Sequence, residues 1–327
     1  MAQLTYRESV SLSIAQAMRK DPKVFFIGED VGAAGGVFKA TVGLLDEFGK
    51  ERVMDTPISE QAILGAAMGA AMAGLRPIAE IMFSDFLAVC WDIVANQIAK
   101  TRYMSDGQIN IPLVIRTANG GGSKFGAQHS QSLENWSMMI PGLKVVAPSS
   151  PRDVLGLMNS AVNDPDPVIF YEHKSLYASK EELDSTELSI PLGQANIIHE
   201  GSDITIIGLA LMAQRAKKAA VELKEKHNIN AKVIDLRTLV PLDLQSIKSA
   251  INETGLAMTV EENPRLCGWG AEISSLITEH CFSNLKGPVT RLTTPHVPLP
   301  SADILEDNTI PSVDVIVKEV IKKVKGE

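Results

Sequence analysis

Short apolar runs alternate with helix-patterned stretches along this chain, and that alternation constrains the fold more than any other feature. Lys23–Gly28, Val53–Thr56, Pro77–Phe83, Pro112–Thr117, Leu143–Ala147 and Pro167–Tyr171 read as strands. Arg7–Met18, Ser59–Ala73, Asp85–Tyr103 and Pro151–Asn163 read as helices. Strands that are apolar on both faces and separated by helices imply a parallel sheet covered on both sides. Such sheets bind ligands beyond the carboxyl ends of their strands.

The pattern breaks at Lys174–Gly201, which is polar, carries Glu181, Glu182 and Asp184, and has no period. It then resumes. Ile204–Gly208, Lys232–Asp235, Ala257–Glu261 and Val289–Leu292 read as strands, and Ala213–His227, Asp243–Thr254, Ala271–Cys281 and Val313–Val324 as helices. With 327 residues, two domains are expected. The fold class is α/β, each domain a mostly parallel sheet flanked by helices. The expected division is 1–185, a linker at 186–200, and 201–327.

Lys and Arg number 31 against 39 Asp and Glu, a net charge of −8. An acidic chain with no basic run outside the tail Lys318–Lys325 is not built for nucleic acid. Cys90, Cys267 and Cys281 have no metal-ligand spacing and read as reduced thiols. No polar-free stretch reaches the ~20 residues of a membrane span, and the first residues lack a signal pattern. A cytoplasmic protein without a membrane partner is expected.

Two segments carry candidate chemistry. Asp55-Thr56-Pro57-Ile58-Ser59-Glu60-Gln61 places Glu60 in the first turn of an almost wholly apolar helix. Ser59 is a plausible N-cap, and acidic residues favour a helix start, so capping alone accounts for this spacing. A carboxyl at the mouth of an apolar pocket is also a group that exchanges a proton near neutrality. His129 lies in Gly126-Ala127-Gln128-His129-Ser130-Gln131, after the glycine-rich Asn119–Gly122 at a strand's carboxyl end. There it suits proton transfer, or is satisfied by neighbouring hydroxyls and amides. His173 ends a strand and His296 sits between prolines, while His199, His227 and His280 read as surface positions. Gly32, Gly35 and Gly36 match neither a dinucleotide nor a phosphate-loop pattern. Gly65 and Gly69, four apart in the Ser59–Ala73 helix, suit a close backbone approach, either within the chain or between two copies of it.

Together these stretches resemble the β subunit of the thiamine-diphosphate-dependent first component of 2-oxo acid and acetoin dehydrogenase complexes. The likeness runs through Phe26–Gly32, Asp55–Glu60, Gly74–Glu80, Gly126–Gln131 and Pro141–Pro148, with Asp235–Leu239 and Pro241–Asp243 in the second half. It implies a transketolase-like pyrimidine-binding domain followed by a transketolase C-terminal-like domain for assembly and core docking. It assigns Glu60 to the aminopyrimidine ring, where its proton drives the ring's own nitrogen to act as a base. Ile58, Phe86 and Gln128 join it as cofactor-binding residues, with Phe86 stacking on the ring. His129 is assigned to the channel, assisting transfer to a lipoyl arm. Leu113, Ala161, Asp164 and Asp166 match a loop that holds a monovalent cation, K⁺, largely by carbonyl oxygens; Asp164-Pro165-Asp166-Pro167 also reads as a plain turn.

Thiamine enzymes hold the diphosphate through Mg²⁺ with a Gly-Asp-Gly and a later asparagine, and this chain has no Gly-Asp-Gly. The resemblance therefore implies that an α subunit supplies the Mg²⁺ and diphosphate half of the site. Two α and two β chains and a lipoyl acyltransferase core are the implied partners. Among substrates, the wording of Gln131–Trp136 and Phe170–Lys174 is most similar to acetoin-cleaving members, then to pyruvate-oxidising ones, then to branched-chain ones. Two readings from other classes stand beside this: a one-chain transketolase, disfavoured by the missing Mg²⁺ motif, and a non-catalytic structural subunit, disfavoured by the presence of Glu60, Phe86 and His129.

Overall fold

The computed structural model describes residues 2–326. They form two compact units. The first runs to Asn119 and resumes over Trp136–Leu192; the second takes Gly120–Asn135 and the chain from Gly193 onward.

In the first unit six strands run parallel in the order Lys144–Val146, Val168–His173, Val114–Asn119, Arg76–Phe83, Val24–Gly28 and Val53–Asp55. The expected strands are all present with shifted ends. Parallel neighbours need crossovers, and helices supply them. Helix Tyr6–Lys20 opens on a capping box in which the Thr5 hydroxyl accepts the Glu8 N–H and Glu8 returns a bond to the Thr5 N–H. Helix Pro151–Asn163 opens on Ser150, whose hydroxyl accepts the Asp153 N–H at 3.2 Å, with proline at the first helical position. Phe26, Leu64, Ile78, Ile81 and Phe170 are fully enclosed. Each such side chain contributes roughly 1.5–3 kcal/mol of burial.

Two expectations need correction. Asp85–Tyr103 is not one helix but a 3₁₀ turn at Ser84–Ala88, a π-helical stretch at Ile93–Ile98 and an α turn at Thr101–Met104. The helix widens where the Ala99 N–H reaches back to the Val94 carbonyl at 3.1 Å. Gly142 presses there, so tightly that a Cβ on it would lie 2.0 Å from the Ala99 carbonyl oxygen. The aperiodic stretch Lys174–Gly201 also holds strands. Lys180–Leu183 pairs antiparallel with Ala2–Thr5, and Asn196–His199 pairs antiparallel with Ala231–Asp235. Both are short, half-exposed edge strands, which need no apolar run and so leave no period.

In the second unit five strands are ordered Thr290–Thr294, Ala257–Pro264, Ile204–Gly208, Ala231–Asp235, Asn196–His199, parallel except for the last pair. Helices Leu211–His227 and Val313–Lys325 close a core around Ile206, Met212, Val233, Met258 and Ile316. A short helix at Asp303–Thr309, absent from the sequence reading, ends against Ile310.

Candidate active site

The Asp55–Glu60 segment leaves its strand opposite the end of another. Gly28 and Asp55 are register partners, and the Thr56 N–H donates to the Gly28 carbonyl at 3.0 Å. The Asp55 carboxylate then accepts the N–H groups of Gly32 at 2.7 Å and Ala33 at 3.2 Å. This draws the loop after the first inner strand to the start of the Glu60 helix. The approach is close: a Cβ on Gly32 would lie 2.9 Å from an Asp55 oxygen, so a larger residue would have to shift that carboxylate.

Glu60 is the first residue of helix Glu60–Met72 and is only 8% exposed. Ser59 occupies the N-cap position, but its hydroxyl makes no capping bond. The Ser59 main-chain amide instead favours the charged form of the nearby Glu29 carboxyl. Glu29 is 7% exposed, and its Oε1 is buried without a hydrogen-bond partner. Burial first, and then the Glu60 charge, raise the Glu29 pKa, with the Ser59 amide opposing them. Glu29 therefore keeps its proton to higher pH than a free carboxyl does. Sequence reasoning assigned Glu29 no role; its only signal was an acidic residue just past a strand's carboxyl end.

Cys90 links Glu60 to Phe86. Its thiol is pushed up to about 12 by burial and next by the Glu60 charge, and its Sγ lies 3.7 Å from the Phe86 carbonyl oxygen. Phe86 is half-buried and meets Phe83 edge-on at 5.3 Å. Ile58, at 84% exposure, stands beside Glu60 as an uncovered apolar side chain. Glu29, Glu60 and Phe86 thus follow the carboxyl ends of three adjacent strands. Within the same unit, buried Arg116 holds Glu172 through Nε at 2.8 Å and Nη2 at 2.5 Å, and bonds Glu80 through Nη1. Tyr177 donates to Glu172 at 2.8 Å. Burial and the Glu172 charge raise the Tyr6 and Tyr177 pKa values far above the ordinary phenol.

His129 and Gln128 fall on the other unit, in the Gly120–Asn135 excursion. Gln128 is exposed and His129 half-buried, its N–H reaching the Gly126 carbonyl at 3.4 Å. His173, at a strand end of the first unit, is buried, and its Nδ1 accepts the Ser175 N–H at 3.2 Å. The cation loop implied by the resemblance stays in the first unit. The Leu113 carbonyl accepts the Val168 N–H and the Ala161 carbonyl accepts the Asp164 N–H. Both Asp164 oxygens accept from Lys144 at 2.6 Å, and Asp166 pairs with Arg102 at 2.5 Å. These carboxylates are already neutralised. Among the described residues no group of three or more His, Cys, Asp or Glu side chains is arranged to hold a metal ion.

The Gly65 and Gly69 face of the Glu60 helix is open within the chain. A Cβ on Gly69 would meet nothing within 4 Å, and one on Gly65 only Ile93 at 3.4 Å. Among the described residues no helix is long and apolar enough to cross a membrane.

The two halves match two known domains: the transketolase pyrimidine-binding domain over residues 2–180 and the transketolase C-terminal domain over residues 193–316. Over 98% of its length the chain is 43% identical to the Bacillus subtilis acetoin:2,6-dichlorophenolindophenol oxidoreductase subunit beta, covering 96% of that protein. The chain belongs to the dehydrogenase β-subunit family. A second member, the 2-oxoisovalerate dehydrogenase subunit beta of Bacillus subtilis, is 43% identical over 94% of each chain. The Arabidopsis thaliana mitochondrial pyruvate dehydrogenase E1 component subunit beta-1 is 43% identical over 97% of this chain and 88% of its own length. A solved split-gene transketolase, an inactive β4 tetramer, shares the fold at a TM-score of 0.81 and 22% identity, with 98% of both chains covered. The β-subunit family thus accounts for the two-domain architecture, and the Glu29–Glu60 pair lies in its pyrimidine-binding half.

Proposed function

We propose that this chain is the β half of a thiamine-diphosphate-dependent dehydrogenase component that cleaves acetoin or decarboxylates a 2-oxo acid and passes the two-carbon unit to a lipoyl group. The observation that carries this is the buried Glu60 carboxyl, set beside Glu29 at the carboxyl ends of parallel strands.

The residues fit an aminopyrimidine ring. Glu60 offers a water-poor carboxyl, Ile58 an uncovered apolar surface, Phe86 an aromatic face, and Glu29 a buried oxygen lacking a partner. When bound, thiamine diphosphate supplies the electron sink that carbonyl cleavage needs. Glu60 holds a proton at the ring nitrogen and takes it back. Glu29, its pKa raised by burial and by the Glu60 charge, keeps a second proton close by. Gln128 is a further cofactor-binding residue, and His129 is the acid–base group of the transfer to the lipoyl arm. The diphosphate and Mg²⁺ fall to an α subunit, since this chain has no Gly-Asp-Gly. Any K⁺ at Leu113, Ala161, Asp164 and Asp166 would rely on main-chain carbonyls, because Lys144 and Arg102 occupy the carboxylates. Two α and two β chains assemble, the open Gly65–Gly69 face meeting a second copy of this chain, with the second unit docking the acyltransferase core. The unpaired thiols suit a reducing, cytoplasmic setting.

The test is Glu60→Gln in the reconstituted α/β complex. Removing a general acid–base group costs about 10²–10⁴-fold; near-normal turnover would leave only a scaffolding role. A panel of acetoin, pyruvate and 3-methyl-2-oxobutanoate ranks substrates, and acetoin is discarded if pyruvate is preferred by about tenfold.

A further inference from the structure

Two buried carboxylates of the second unit grip the backbone of the loop that bears His129. The Gly122 N–H donates to Glu306 Oε1 at 3.0 Å, and the Lys124 N–H donates to Glu306 Oε2 at 3.1 Å. The Gly121 N–H donates to Glu262 Oε1. On the far side of the loop the Ser132 hydroxyl donates to the same Glu262 oxygen at 3.2 Å, and Asn263 Nδ2 donates to the Ser132 carbonyl at 3.2 Å. Both ends of the stretch containing His129 are therefore fixed to Glu262, the first end also to Glu306 and the far end also to Asn263.

The arrangement is like an anion nest, with successive amide N–H groups turned toward negative charge. Gly120 and Gly122, with φ of +83° and +81°, allow the turn that points them there. Here the protein's own carboxylates fill the nest. Glu306 has no exposed surface, and Lys124 braces it from outside through an ion pair at 3.2 Å. The fit leaves no slack: a Cβ on Gly121 would lie 2.7 Å from an Ile310 methyl and 2.8 Å from a Leu299 methyl. A neutral amide at 306 has one acceptor oxygen, whereas the two N–H groups need two. Charge-assisted bonds of this kind are the stronger class.

We propose that Glu306, together with Glu262, is a positioning residue that sets the place of His129 for the transfer of the two-carbon unit to the lipoyl arm. This rests on the role given to His129 above. The carboxylates touch the loop backbone and act through it.

The test compares Glu306→Gln, His129→Gln and the double variant in the reconstituted α/β complex. Hydrogen exchange at the Gly122 and Lys124 amides is expected to quicken by about tenfold or more when one charge-assisted bond is lost. The kcat/KM for a free lipoyl domain is expected to fall about tenfold, and further than dye-linked oxidation of the same substrate. In the His129→Gln background, Glu306→Gln should add no further loss of transfer, since the two act as one unit. Gly121→Ala keeps both carboxylates but pushes the same loop, its Cβ meeting the Ile310 and Leu299 methyls at 2.7 and 2.8 Å and Glu306 Oε1 at 3.4 Å, and should reproduce the transfer defect if Glu306→Gln fails to fold. Unchanged amide exchange, or faster exchange with transfer intact, overturns the proposal, as does an equal fall of transfer and dye-linked oxidation. If His129→Gln leaves transfer intact, the reading of His129 itself has failed and the positioning role goes with it. A loss with His129→Gln and none with Glu306→Gln sinks the positioning role alone.

Discussion

Replacing Arg116 by methionine tests the electrostatic reasoning most severely. Arg116 is 3% exposed and lies as a cation between Glu80 and Glu172, two side chains that are themselves buried. Methionine fills much of the volume but leaves the two carboxylates uncompensated. Removing one partner of a buried ionic cluster costs about 3–5 kcal/mol. A unit of this size loses roughly 2–4 °C of Tm per kcal/mol, so the melting temperature should drop by about 6–20 °C. Melts followed by circular dichroism read the deficit directly. Adding Glu80→Gln and Glu172→Gln should recover part of it. A deficit below about 2 °C refutes the reasoning.

Glu29→Gln addresses the carboxyl pair. The Glu29 pKa is raised in the fold, so its favourable contribution is complete below the unfolded value and is lost as pH rises through the folded one. Glutamine does not titrate, so the variant should gain in Tm over the parent as pH rises from about 4.3 toward neutrality; a gap that stays flat with pH refutes the pairing. Among the thiols, exposed Cys267 should react at once with a thiol reagent at neutral pH, and Cys90, pushed up to about 12, only on unfolding. Glu60→Gln should bring the Cys90 value down, read from thiolate absorbance; an unmoved titration would separate Glu60 from Cys90.

The sheet was legible because strands enclosed on both faces announce themselves as apolar runs, as Val24–Gly28 and Val168–His173 do. Edge strands such as Asn196–His199 were not, since half-exposed residues carry no run to see. Glu60 and His129 could be picked out by residue type and position past a strand end. Glu29 could not, because its proximity to Glu60 arises only from the parallel register of Gly28 with Asp55. Nor could Glu306, which meets the His129 loop across more than 180 residues of chain. Gly142 approaches Ala99 where the Asp85–Tyr103 stretch leaves its π-helical turn, a tertiary contact that periodicity cannot encode.

The Gly120–Asn135 excursion restricts how such subunits can be recombined. A chimera joined once, near residue 192, would give the His129 segment a foreign Glu262 and Glu306 to fit against. Exchange between relatives therefore needs three crossover points, so that residues 120–135 travel with the C-terminal portion, and a single-junction library should be depleted in working catalysts.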